Sequence, residues 1–269
     1  MSRFLCLGLG CAIAASLWTG RALSTEDHLA RIYQDGVLAP DLDELEEWIA
    51  HRYGRADHYR DLDQQLELEV GLIPSVRASF SWDFAATVPE QVDTTADPVP
   101  MRSFDLDSVS CECRIKLSDP LNDTVGTWIY LNGSFGPAEA DVEGQLLLDK
   151  RLGSWITTVS LAGGHHWAIE HLREAEPPLD FALRLSAGYL ILPSLVLGVE
   201  VQQVGDLERD KSGTAVIYGG PVLAYESDRF WLAAGVTPQL ASLSNAADRS
   251  RFDRFSERLQ SRILLGLGL

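Results

Sequence analysis

The chain has 269 residues, a formal net charge of -17 and an ordinary apolar fraction. That length suits one large all-β domain or two smaller ones. The acidic balance excludes a general nucleic-acid binder, which needs a basic footprint, and says little about fold.

The chain opens "MSRFLCLGLGCAIAASLWTGRALS". Arg3 supplies the positive start, an apolar run continues to about Trp18, and small residues follow. Residues 1–24 therefore read as a secretory signal peptide. The alternative is an anchor helix, but the run is short for a bilayer span and Arg21 interrupts it. Beyond it only Cys111 and Cys113 remain, two apart on one strand face. That spacing rarely meets disulfide geometry.

Residues 25–43 read as a short periplasmic segment. The stretch "ELEEWIAHRY" fits either a helix, with Pro40-Asp41 at its start, or a first strand ending at Gly54. From Arg60 onward the pattern is strand, turn, strand with period two. In "QQLELEVGLIPSVRASFSWDF" the apolar row is Leu66, Leu68, Val70 and Leu72, then Val76, Ala78, Phe80, Trp82 and Phe84. The polar row is Gln65, Glu67, Glu69 and Gly71, then Arg77, Ser79, Ser81 and Asp83. "VSCECRIKL" sets Cys111, Cys113 and Ile115 against Glu112, Arg114 and Lys116. Further strands follow to the closing "SERLQSRILLGLGL", about eleven from Arg60. Tight connections around Pro74-Ser75, Arg151-Gly153, Pro193-Ser194 and Ser227-Asp228 alternate with longer polar ones.

Period two does not say which face is inside. A soluble barrel or sandwich would bury the apolar rows; a membrane barrel turns them to lipid. Four features favour the membrane case. A signal peptide is followed by no helix-length apolar span, so a crossing must use strands. The strands have about the ten residues a tilted crossing needs. Tight and long loops alternate. Aromatics gather near strand ends: Trp128, Trp155, Tyr189, Tyr225 and Phe230 by the tight turns, and Tyr53, Tyr59, Trp82, Phe84, Phe104, Phe135, Trp167, Phe181 and Phe255 by the long loops. Two such bands match the two bilayer interfaces.

The expected fold is thus all-β: an antiparallel up-and-down transmembrane β-barrel over residues 44–269. Counting "ELEEWIAHRY" as the first strand brings the total to about twelve, an even number, and lets it pair with the last. The expected lumen lining is Glu67, Glu69, Arg77, Asp83, Glu112, Arg114, Lys116, Glu143, Arg184, Glu200, Arg258 and Arg262, with opposite signs paired or hydrated. This balance of signs predicts weak ion selectivity, biased toward cations at low salt by the acidic loops.

"LAPDLDELEEWIAHRYGRADHYRDLDQQLELEVGLIPSVRASFSWDF" resembles the start of a group of Gram-negative outer-membrane barrel proteins to which no function is assigned. The shared pattern is Glu44 to Trp48, then Tyr59, Glu67, Glu69 and Gly71-Leu72. "LSDPLNDTVGTWIYLNGSFGPAEADVEGQLLLDK" and "FWLAAGVTPQL" are similar to later parts of the group. The resemblance implies an exported outer-membrane protein whose partners are lipid and the barrel-assembly machinery. It implies no catalytic residue and no cofactor.

No GxSxG, P-loop, HExxH or dinucleotide fingerprint occurs. In "AGGHHWAIEH", a metal set of His166, Glu170 and His171 can be drawn, but a polar strand end near the outer rim is the simpler reading. Ser160 near His165 and His166 suggests a lipid-acting hydrolase, yet Ser160 falls on the lumen row and no Asn partner is evident. The expected activity is porin-like passage of small solutes through a narrow lumen. The other readings are a plugged barrel with a structural or binding role, a lipid-acting enzyme, and a soluble periplasmic barrel.

Overall fold

A computed structural model describes residues 43–54, 60–88, 104–137, 139–169, 179–207, 215–227, 229–243 and 256–269. The expected signal peptide, the segment before residue 43, Tyr59 and Phe255 lie outside these residues.

The described residues form a closed antiparallel barrel of twelve strands. These are β1 (Asp43–Tyr53), β2 (Arg60–Ile73), β3 (Val76–Val88), β4 (Asp105–Ser118), β5 (Gly126–Phe135), β6 (Glu139–Leu152), β7 (Trp155–Ala168), β8 (Leu179–Leu192), β9 (Leu195–Leu207), β10 (Ala215–Glu226), β11 (Phe230–Ser242) and β12 (Leu259–Gly268). Each strand pairs with its sequence neighbours, and β1 closes on β12 from Glu44↔Gly268 to Tyr53↔Leu259. "ELEEWIAHRY" is therefore a strand, not a helix. Closure leaves no strand edge unpaired, which a bilayer requires.

Both termini of the barrel and the tight turns lie at one end. Ile73↔Val76, Leu152↔Trp155 and Leu192↔Leu195 close turns of two residues. Gly153 sits at φ 62°, a conformation that favours glycine. The longer "LSDPLNDTVG" belongs to this end as well. It is folded on itself: Asp119 accepts from the Leu121 backbone N–H, Asp123 accepts from the Asp119 N–H, and Lys116 donates to Asp119 at 2.8 Å.

The inside-out pattern is plain on the surface. Leu131, Val159, Leu161, Leu185, Leu197, Val199, Val236 and Ile263 face outward, while Glu44, Glu46, Glu67 and Glu69 are fully buried inside. A water-soluble barrel would reverse this. Trp155, Tyr189, Tyr225 and Phe230 are exposed near the tight turns, with Trp155 against Tyr189 and Tyr225 against Phe230. Phe135 and Tyr53 are exposed at the other end, where Phe84 stacks on Phe104 and His165 on Trp167. Trp128 does not belong to the tight-turn band: it is 7% exposed and packs inside the barrel. Its parity explains this, because it shares a row with Tyr130, Asn132 and Ser134.

Candidate functional site: the lumen

The lumen has two unlike halves. Toward the tight turns it is packed. Trp48, Trp128, Leu147, Ile156, Leu190, Val196, Val222, Trp231 and Leu264 join one apolar cluster contributed by most of the barrel wall. The rest of this neck is charged and comes from β1 to β4. Glu44 stands directly opposite Glu69 and Glu46 opposite Glu67, while Arg77 stands opposite Arg114. Like charges in facing positions are unfavourable unless neighbours offset them. Here Arg77 reaches Glu69 at 2.8 Å, and Arg114 reaches Glu69 at 3.1 Å, Glu67 at 3.7 Å and also Glu112. Two indoles join in: Trp48 Nε1 donates to Glu46 at 2.9 Å and Trp231 Nε1 donates to Glu44. Arg262 lies 3.8 Å above the Trp48 ring, a cation–π contact that ties the charged and apolar parts together.

Toward the long loops the lumen opens into a chamber of about 550 Å³. Its lining includes Asn132, Ser134, Asp141, Glu143, Asp180 and Arg184, with Ala162, Ala182, Val204 and Val216 beside them. On the β1–β4 side, Arg52 pairs with Asp63 at 2.9 Å, and Ser108 and Ser110 donate to Asp83. Gln202 of β9 donates to Gln260 of β12 at 2.8 Å, a bond that passes inside β10 and β11. At the chamber's edge, His166 contacts both Asp141 and Glu139, and Ser134 donates to Asp141.

Of the twelve expected lining residues, the structure gathers Glu67, Glu69, Arg77, Glu112 and Arg114 in the neck. Glu143 and Arg184 line the chamber, Glu200 is buried on the inward row of β9, and Asp83 and Arg262 face the lumen as described. Lys116 marks the tight-turn edge and lies over Trp128. Arg258 differs: it precedes β12, is exposed, and packs its stem beside Gly54 at the long-loop rim. Parity placed it on the inward row, but the strand begins one residue later. The expected set omitted Glu44, Glu46, Trp48 and Trp231, although Glu44, Glu46 and Trp48 share one parity in "ELEEW". His166 finds its carboxylates on β6, where Asp141 is its register partner, while Glu170 and His171 lie outside the described residues. Ser160 is fully buried on the lumen side.

No family model matches the chain, and no curated protein matches it. Solved structures do. The NanC porin is 13% identical with a TM-score of 0.54 and spans 84% of this chain and 100% of its own. The KdgM porin in complex with disordered oligogalacturonate is 10% identical with a TM-score of 0.49, over 84% and 97%. The outer membrane phospholipase A from Escherichia coli is 12% identical with a TM-score of 0.39, over 86% and 94%. The chain has the fold of an outer-membrane β-barrel. At these identities the likeness concerns fold alone.

Proposed function

We propose that the protein is a porin-like outer-membrane barrel that passes small solutes through a lumen narrowing from a polar chamber to a side-chain neck. The observation that carries this reading is the chamber of about 550 Å³, open at the long-loop end and lined by Asn132, Ser134, Glu143, Asp180 and Arg184. A small solute fits such a volume. The long-loop end then faces the outside and the tight turns face the periplasm, as in bacterial barrels generally. Twelve strands stand between small barrels filled by side chains and sixteen-stranded porins with an aqueous channel. Passage past the neck requires rearrangement of side chains such as Arg262 over Trp48. The expected unitary conductance is correspondingly small.

The neck also favours a second reading, a plugged barrel with a structural or binding role. Glu44, Glu46, Glu67 and Glu69 have no solvent exposure and Trp231 has 1%. Planar-bilayer recording separates the two: a plugged barrel conducts neither as the native protein nor as Arg262→Ala. We read the protein as non-enzymatic; Ser160, the serine near His165 and His166 that would suggest a lipid-acting hydrolase, is fully buried on the lumen side and away from lipid. On this account residues 1–24 are removed on export, residues 25–42 form a short periplasmic lead, and the barrel follows from Asp43, one residue earlier than the sequence pattern placed it. Assembly machinery and bilayer lipid are the partners that such a chain needs.

A further inference from the structure

The chamber is richer in carboxylates than in cations. Asp141, Glu143 and Asp180 line it together with the single lining guanidinium of Arg184, among the described residues. Glu139 stands beside it, and His166 bridges Glu139 and Asp141. The neck below has the same bias, with Glu44, Glu46, Glu67, Glu69 and Glu112 against Arg77, Arg114 and Arg262. A carboxylate excess inside low-dielectric walls concentrates cations, because field lines are focused into the cleft. This differs from the balance expected from the sequence rows, because register adds Asp141, Asp180, Glu44 and Glu46 to the inner surface.

Charge alone does not make a site; two further features point to a ligand. The chamber is far larger than a metal ion with a few waters requires, and Ala162, Ala182, Val204 and Val216 give it an apolar wall beside the acidic one. Its lining also carries a polar atom with nothing to bond: Asn132 Oδ1 accepts no hydrogen bond. Buried polar groups without partners are uncommon and call for one.

We infer that the outer chamber is a binding site for small organic cations, an ammonium or guanidinium on a short alkyl chain. The cationic head meets Asp141, Glu143 and Asp180, and the alkyl part lies on Ala182, Val204 and Val216. Arg184 limits affinity, holding a counter-charge within the site. This deepens the porin-like reading by naming its solute class, but binding itself does not depend on conduction.

The test is calorimetry on the full barrel refolded in detergent at low salt. Agmatine, with a guanidinium and an ammonium on a butyl chain, is the probe, and the dianion glutarate is the control of similar length. Agmatine binds and glutarate does not; Arg184→Ala tightens agmatine binding about threefold or more; Glu143→Gln with Asp180→Asn weakens it about tenfold. Heat-modifiable migration confirms that each variant has folded. Equal binding of both probes, or no agmatine binding by the folded native barrel, overturns the inference. The same affinity in the carboxylate variant, once folded, also overturns it. Agmatine binding without conductance in native protein or Arg262→Ala supports this site and refutes solute passage.

Discussion

Leu185 offers the sharpest test of which face meets lipid. It lies on β8 between outward Tyr189, near the tight turns, and outward Phe181, near the long loops, so it sits close to mid-depth. It is 45% exposed, while Ala182, three residues away, is 7% exposed and lines the chamber. An Arg at mid-depth on the lipid face costs about 2–4 kcal/mol. An Arg at position 182 enters a chamber of about 550 Å³ with Asp141, Glu143 and Asp180 on its lining. Its cost is expected to be under ~1 kcal/mol, because water and carboxylates receive the charge. The difference corresponds to a shift in the folding equilibrium of roughly fivefold to several hundredfold. Urea titration of refolding into phospholipid vesicles measures it for Leu185→Arg and Ala182→Arg. An equal or smaller cost for Leu185→Arg refutes the inside-out assignment.

Further outcomes are expected. Removing residues 264–269 deletes the half of the β1–β12 seam that runs from Glu44↔Gly268 to Trp48↔Leu264, and the chain should show no heat-modifiable folded band; a normal band contradicts closure through this seam. A side chain at Gly266 collides with the neck, since its Cβ would overlap Trp231 Nε1. Gly266→Leu should lower the urea midpoint by an amount equivalent to about 1–3 kcal/mol, and an unchanged midpoint shows that the Trp231–Glu44 packing is wrong. In the turn after β4, the Lys116 ammonium that donates to Asp119 holds its carboxyl below the usual aspartate range. A depressed carboxyl contributes stability above the unfolded value of about 3.9 and loses it as pH falls through the lower folded value. Carbon-detected titration should therefore show the Asp119 carboxyl moving up in Lys116→Met; no movement disproves the contact.

Much of the fold is legible because period two ties each side chain to one face. Leu185 opposite Arg184, or Glu112 beside Cys111, settles its own side once a strand is recognised. The first strand needed parity, since "ELEEWIAHRY" also carries helical spacing. Trp128 shows where residue type misled. An aromatic near a tight turn suggested an interface belt, yet Trp128 shares a row with Asn132 and Ser134. Parity outranks type in a strand. The His166 pairing was out of reach for another reason: its carboxylates are Asp141 across the β6–β7 ladder and the adjacent Glu139, and only register brings them together. The uneven lumen was hidden likewise. Each row reads as polar, but whether an inward position falls in the neck or the chamber depends on its height above the turns.

Single-channel recording of the refolded native barrel and of Arg262→Ala in a planar bilayer, under a potassium chloride gradient, tests the central claim most directly. The account predicts a small unitary conductance in the native protein, a larger one when the guanidinium stacked at 3.8 Å on Trp48 is removed, and a reversal potential favouring cations in both. Silence in both proteins contradicts solute passage and establishes a sealed barrel, and a native conductance as large as that of a sixteen-stranded porin contradicts the packed neck.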